Sequence, residues 1–346
     1  MAEIVKVRSP YIVEISGVLT DTTKVEIFLW NSPGSVPSSP TYTLEKTIPS
    51  SVVTKASYDI SPYVREFISH SVYSEVTVET AAPVGEYCFC NIKSYKNGVL
   101  QTGGGSYTKQ LICFDGYGYF EDGQNPAAQN ALLTEGTYYV QASGNTGGLY
   151  FTTEPSGTWV ADYTGLETGA TVSDSLTNTV GYIPYIPNAL KWEKVKLEIK
   201  ESGVVQYTYH FTPVCEPKYK PINCDFVNKH GAWQRLVFFK ASMDSFEMSN
   251  SEYNLMSQDT DYSLTQNRRN VFNVNAIESI KCNTGWVPES YREVIKELML
   301  SEVVRLDNKP VILKSKSVQL QKSINDNNIN YEIEFQYANN SINYIV

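Results

Sequence analysis

The chain has 346 residues, enough for two or three domains at about 100–200 residues each. With 42% hydrophobic and 19% charged residues it reads as globular, which excludes a disordered polymer. A net charge of −9 and a pI near 5.0 exclude a dedicated nucleic-acid binder with a basic face, although a basic lining confined to one lumen would not register in the total.

Residues 4–15 alternate between apolar and polar positions and predict strand, as do Val25–Trp30 and Tyr42–Lys46. Asn31-Ser32-Pro33-Gly34 has turn chemistry. At Ser61-Pro62 the pattern changes. Ser61 suits a helix cap, Pro62 a first helical position, and Tyr63, Val64, Phe67 and Ile68 would share one face of a short helix. This stretch predicts an N-terminal β domain with a short helix over residues 1–73.

Residues 74–220 predict a second β domain. Gly85–Tyr95 reads as a strand that turns at Asn97-Gly98, a strong hairpin signal, with Thr108–Phe114 as the strand beyond. Gly103-Gly104-Gly105 predicts a flexible connector. It is not a phosphate loop, because neither a Lys-Ser/Thr pair nor a helix follows. Residues 134–180 are rich in Gly, Thr and Ser and contain no Lys or Arg. We read residues 115–188 as an excursion, whether long loop, β-arm or inserted subdomain, that contacts a neighbouring subunit. Trp192–Lys200 and Val204–Phe211 predict a hairpin, and Pro213, Pro217 and Pro221 an extended linker.

Residues 221–346 predict a C-terminal β domain. Two apolar strands flank a turn at Gly231, carrying Phe226, Val227 and Leu236–Phe239. Residues 244–270 are polar, with Arg268-Arg269 their only basic pair, and Val271–Ile277 predicts a strand. An amphipathic helix is predicted over 288–300. Tyr291, Val294, Ile295, Leu298 and Met299 line its apolar face, and Arg292, Glu293, Lys296 and Glu297 its polar face. Packing on a sheet from 226–240 and 310–338 would hold it. Strands near 302–306, 310–320 and 329–338 follow, with turns at Asp307-Asn308 and Asp326–Asn328. The fold class expected is mainly β and multi-domain, with β-sandwich-like modules and one or two short helices. The 25 tyrosines fit half-buried strands.

No catalytic, cofactor-binding or metal-binding residue is assigned, and no cofactor is expected. The chain has three histidines, His70, His210 and His230, and lacks the nucleophile-elbow, zincin and Walker motifs. His230 falls in the Asn228–Gly231 turn and is expected to be exposed. Asp115, Glu121 and Asp122 form a local acidic group that reads as a solvated loop and not as a glycosidase pair. Asp259 and Asp261 lack the spacing of a calcium loop. Cys88 and Cys90 should share one face of a strand with Phe89 on the other; together with Cys113 they read as buried thiols rather than as metal ligands. Tryptophans 30, 159, 192, 233 and 286 are dispersed and read as core or interface residues. There is no apolar run of about 18 residues to span a bilayer, and Met1–Arg8 lacks the apolar core of a secretion signal.

Four segments carry a resemblance: Ser9-Pro10-Tyr11, Asp59-Ile60-Ser61-Pro62-Tyr63-Val64, the turn Asn228-Lys229-His230-Gly231-Ala232-Trp233, and Ser301–Val304 followed by Lys309-Pro310-Val311-Ile312. In this pattern the chain resembles tail or head-to-tail structural subunits of tailed phages that infect Bacteroidota, including the crAss-like group. The resemblance implies a non-enzymatic virion protein that forms a ring layer of the tail, as a hub or adaptor. It implies manufacture in the host cytoplasm and contacts with copies of itself and with other tail or connector proteins. DNA would pass through the ring lumen without sequence-specific binding, and no membrane insertion is expected. The alternative from another class is a receptor- or carbohydrate-binding baseplate or fibre protein, with the aromatic excursion as its binding loop.

Overall fold

The computed structural model describes residues 3–17, 21–31, 36–48, 54–71, 73, 76–101, 108–142, 147–153, 157–215, 218–256, 265, 267–318 and 328–342. The fold is mainly β, with two short α-helices among these residues. The turn at Pro33-Gly34, the Gly103–Gly105 connector, Pro217, the pair Asp259 and Asp261, and most of the turn at 326–328 lie outside them.

The chain packs as two compact units. The larger comprises residues 1–215, 225–236 and 293–303, and the smaller 216–224, 237–292 and 304–346. This division differs from the three consecutive domains expected from sequence. No boundary falls at 73/74, because Thr22–Trp30 pairs antiparallel with Tyr87–Lys96, and Glu3–Lys6 lies parallel to Thr108–Phe114 in the same sheet. Nor does the boundary at 220/221 hold cleanly, because 225–236 and 293–303 belong to the larger unit. Local composition marks linkers, whereas packing is decided by strands that pair across a long sequence interval.

In the larger unit the first sheet runs in the order Glu3–Lys6, Thr108–Phe114, Tyr87–Lys96, Thr22–Trp30, Tyr42–Thr47. Asn97 and Gly98 turn Tyr87–Lys96 back onto Val99–Leu100 with φ of 47° and 77°, the left-handed pair that a two-residue hairpin loop requires. Strand alternation divides the side chains between two cores. Val25, Ile27, Cys88, Cys90, Ile92 and Cys113 meet the ribbon Ile12–Ser16/Lys55–Asp59 on one side. Phe28, Trp30, Phe89, Ile112 and Phe114 enter an aromatic core on the other, with Tyr150, Tyr182 and Trp233. Cys88 and Cys90 thus share a face and Phe89 opposes them, as the alternation predicts. Ser61 opens the helix Ser61–Arg65 but does not cap it. Its hydroxyl donates to the Ser9 carbonyl at 2.8 Å and accepts from the Tyr11 N–H at 2.6 Å.

The stretch 115–188 is not a projecting loop. It supplies Gly136–Gln141, Trp159–Gly165 and Thr171–Leu176 to a five-stranded sheet shared with Val195–Glu201 and Val204–Val214. It also supplies Gly148–Thr152 and Val180–Pro184 to a three-stranded sheet with Thr80–Ala81. Tyr138, Tyr163, Trp159 and Tyr185 are buried, and Tyr185 stacks on Phe211 at 4.7 Å between centroids. Removing 115–188 would take the partners from strands on either side.

In the smaller unit, sheet order is Val304–Leu306, Lys309–Leu313, Asn328–Tyr337, Arg269–Pro288, Met243–Asn254. Ile280, Cys282, Ile333 and Phe335 are buried, and Phe238 meets Phe335 edge to face at 5.8 Å. The amphipathic helix spans Tyr291–Met299, shorter than the predicted 288–300 because Pro288 ends the preceding strand. Tyr291, Val294, Ile295 and Leu298 are buried as expected, but so is Glu297, which the sequence placed on the polar face. Residues 293–303 pack within the larger unit.

Gly231 and Gly98 give a direct test. Both have positive φ, at 84° and 77°. A Cβ on Gly231 would lie 2.5 Å from the Gly116 nitrogen, whereas one on Gly98 meets nothing within 4 Å. Gly98→Ala should cost about 1 kcal/mol of backbone strain. Gly231→Ala should cost about 1–3 kcal/mol more, because backbone must move. Urea unfolding of both variants checks this; equal losses would contradict the packing described.

Candidate functional site

Two regions stand out, a buried polar network in the larger unit and an exposed ribbon in the smaller. The network centres on the turn between Ile222–Val227 and Trp233–Phe238. Asn228 Oδ1 accepts the His230 and Ala232 N–H groups at 2.9 and 3.3 Å, and its Nδ2 donates to the Leu132 carbonyl and Gln234 Oε1 at 2.9 and 3.1 Å. The Tyr117 N–H donates to the Lys229 carbonyl at 2.8 Å, which binds the turn to residues 115–117. His230 is therefore buried, contrary to its expected exposure: Gly231 lets the turn lie flat on another segment of backbone.

His230 Nε2 lies 3.5 Å from Thr134 Oγ1, and that hydroxyl donates to Glu297 Oε1 at 2.7 Å. A nucleophile–base–acid chain would need the hydroxyl proton aimed at the imidazole and an acid on its Nδ1. Here the hydroxyl faces the carboxylate, and Nδ1 has no hydrogen-bond partner among the described residues. Burial, followed by the charges of Lys6 and Lys229, holds the imidazole well below its ordinary pKa. Burial pushes the Glu297 carboxyl up, opposed by the Lys229 charge at 3.7 Å and the Thr134 hydrogen bond. The group braces the turn against the helix.

The expected acidic cluster is separated. Asp115 is buried and accepts from Arg65 Nε at 3.0 Å, and its Oδ2 lies 3.2 Å from His70 Nε2. Burial raises its pKa, but the His70 hydrogen bond and the Arg65 charge prevail and hold it below the usual carboxylate range. Glu121 and Asp122 lie exposed in the turn Phe120–Asp122, where Asp122 accepts the Tyr119 N–H at 3.0 Å. A shallow pocket of about 420 Å³ opens beside Arg8, Ser61, Arg65 and Glu66. Its guanidiniums are engaged: Arg8 with Glu302 at 3.2 Å, and Arg65 with Asp115 and Glu302.

Sequence reasoning did not bring together a further buried set. Glu86 accepts from Tyr150 Oη at 3.0 Å, from Trp233 Nε1 at 3.1 Å and from the Ser71 hydroxyl. Asp225 takes a two-pronged bond from Arg235, at 2.6 and 2.8 Å. His210 lies half-buried on Val204–Val214, opposite Lys196 and Thr137. Among the described residues no group of three or more His, Cys, Asp or Glu side chains could hold a metal. Cys88, Cys90 and Cys113 are free thiols inside the aliphatic core.

The ribbon consists of Met243–Asn254 paired antiparallel with the outer half of Arg269–Pro288. All twelve residues of its first strand are exposed. The third strand, Asn328–Tyr337, joins Arg269–Pro288 only from Ser279 inward. Phe246, Met248, Tyr253 and Phe272 are 65, 60, 45 and 45% exposed. Phe246 and Met248 lie on one face, and Tyr253 and Phe272 on the other, where their rings meet at 5.5 Å. The residues 244–270 are polar in total, and that masked the alternation of Phe246 and Met248 with charged neighbours.

No protein-family model matches this chain, and no curated protein matches it. No helix among the described residues is long and apolar enough to cross a membrane.

Two measurements test the buried network and the buried thiols. The folded-state pKa of Glu297 lies above the unfolded one, so its contribution to stability is present at low pH and lost as pH rises through the folded value. Glu297→Gln keeps an acceptor for Thr134 and removes this titration. The stability of the variant relative to the parent should therefore increase as pH rises from the ordinary carboxylate range through the raised folded value, read by urea melts; a constant difference would exclude an ionising buried Glu297. Of the six cysteines only Cys215 is exposed. A thiol reagent should accordingly titrate one sulfhydryl in the native chain and six after denaturation, and rapid reaction of three or more would refute the buried thiol cluster.

Proposed function

We propose that the chain is a non-enzymatic structural subunit that works by assembly, as a ring-forming hub or adaptor layer of a phage tail. The observation that carries the reading is the two-stranded ribbon with apolar side chains on both faces and no covering element among the described residues. A soluble chain that keeps Phe246, Met248, Tyr253 and Phe272 in water has a contact surface to bury. At roughly 150–250 Å² for a large side chain, the exposed parts of these four and of Met243 and Val271 amount to on the order of 600 Å². That approaches the ~800 Å² that each partner gives to a standard interface.

The sequence resemblance supplies the virion and tail context, and with it the partners: copies of this chain, neighbouring tail or connector proteins, and DNA passing through the lumen. The action would be mechanical. Rigid β modules hold position and the ribbon joins neighbours through heterologous surfaces, which close into a ring when the rotation between subunits permits. The carbohydrate-binding alternative needs a group of exposed aromatic platforms in 115–188; Phe120 is fully exposed there, but Trp159, Tyr138, Tyr163 and Tyr185 are buried.

The test is assembly. Purified chain should form discrete oligomers by native mass spectrometry and rings by negative-stain microscopy. Replacing residues 247–277 with Asn-Gly joins the paired Phe246 and Glu278 through a two-residue hairpin loop. This variant should remain folded and need at least about tenfold more protein to assemble, a loss of ~1.4 kcal/mol. Unchanged assembly would reject the ribbon as the carrier of function.

A further inference from the structure

We infer that Asn97 is a site of spontaneous deamidation, gated by the hydrogen bonds that hold its carboxamide to Thr22 and Asp21. The inference stands apart from the assembly reading, and either can fail without the other.

Asn97-Gly98 is the only Asn-Gly pair in the sequence. In the reaction the Gly98 amide nitrogen attacks Asn97 Cγ. A C–N bond forms, closing a succinimide ring, and the side-chain nitrogen leaves as ammonia. Water then opens the ring at one carbonyl or the other and yields aspartate or isoaspartate. No oxidant, reductant or cofactor enters. A side chain on the residue after the asparagine crowds the attacking nitrogen, and glycine has none. Both residues are exposed at the tip between Tyr87–Lys96 and Val99–Leu100, and a Cβ on Gly98 would meet nothing within 4 Å. Water and the ring intermediate therefore have room.

Native contacts hold the reaction back. Asn97 Nδ2 donates to Asp21 Oδ1 at 2.7 Å, and Asn97 Oδ1 accepts the Thr22 N–H at 3.0 Å. The Asn97 N–H donates to the Thr22 carbonyl at 2.8 Å. Asp21 is itself held by Lys96 at 3.1 Å. A carboxamide engaged at both ends must let go before its carbon can turn to the Gly98 nitrogen. The bond to Asp21 has an ionised acceptor and is the stronger of the two. The product is a different hairpin. Aspartate at this position keeps an acceptor for the Thr22 N–H, loses the donor to Asp21 and sets two carboxylates side by side. Isoaspartate also inserts a methylene into the backbone, which a tight two-residue loop does not accommodate. The pairs Tyr95–Leu100 and Lys96–Val99 would then part.

The experiment ages the full chain and the variants Asp21→Ala, Asp21→Asn and Gly98→Ala in mildly alkaline buffer. Aspartate and isoaspartate at position 97 are quantified by peptide mapping with mass spectrometry. The parent should convert slowly when folded and faster in urea. Asp21→Ala removes the acceptor, and the folded variant should convert about tenfold faster than the folded parent, the effect of one charge-assisted hydrogen bond on a rate. Asp21→Asn restores an acceptor and should fall between the two. Gly98→Ala should scarcely convert. In urea the parent and both Asp21 variants should react at one rate, which separates the gate from any intrinsic effect of the substitution. Equal rates for the folded parent and folded Asp21→Ala would overturn the gate. An Asn97 that stays intact in the unfolded chain, or another asparagine that deamidates faster than Asn97 in the folded one, would overturn the site.

Discussion

The larger unit depends on one close approach of backbone to backbone, between the turn at Gly231 and the strand end at Asp115-Gly116. A Cβ on Gly231 would lie 2.5 Å from the Gly116 nitrogen, and one on Gly116 would lie 2.7 Å from the His230 carbonyl carbon. Glycine on both sides lets the two segments touch and lets the Tyr117 N–H reach the Lys229 carbonyl. Once that contact forms, the residues following the turn have no freedom of placement. Trp233 enters the aromatic core beside Tyr73 and donates to Glu86, and Arg235 meets Asp225 over the face of Tyr73. The contact closes a loop of more than a hundred residues of chain, at a cost in loop entropy.

Buried polar groups give this closure its single register. Glu86, Asn228, Asp225 and Arg235 are all buried and all hydrogen-bonded. Such groups add little net stability when satisfied, because desolvation offsets the gain, yet leaving one partner unpaired costs about 3–5 kcal/mol. A turn shifted by one residue would strand Asn228 and Arg235 away from Leu132, Gln234 and Asp225. Apolar packing alone tolerates many arrangements; this network admits one. Glu297 and Lys229 extend the same logic to the helix Tyr291–Met299, which is too short to persist alone.

The ribbon of the smaller unit follows opposite rules. Its side chains face water on both sides, and its ion pair Arg269–Glu252 is surface-exposed and worth little. Two strands without a covered face are marginal by themselves. The proposed assembly would give such an element its cover, whereas the larger unit is explained by its own interior. The proposed role as an assembling subunit follows from that asymmetry.

Much of the local structure was legible in the chain. Alternation located most strands, Asn97-Gly98 named its hairpin, and the spacing of Cys88, Phe89 and Cys90 put the two thiols on one face and the ring on the other. These features depend on backbone periodicity and turn chemistry, which neighbouring residues settle among themselves. What the tertiary structure alone decided was partnership. Asp115 bonds Arg65 and His70 and not the nearby Glu121 and Asp122, and 115–188 is woven into sheets with strands on either side of it. Helical spacing put Glu297 on the polar face, and packing within the larger unit buried it against Thr134 and Lys229. In each case a strand's neighbour or a charge's surroundings come from residues far away in sequence, and their energies are set by burial and long-range pairing that no local pattern encodes.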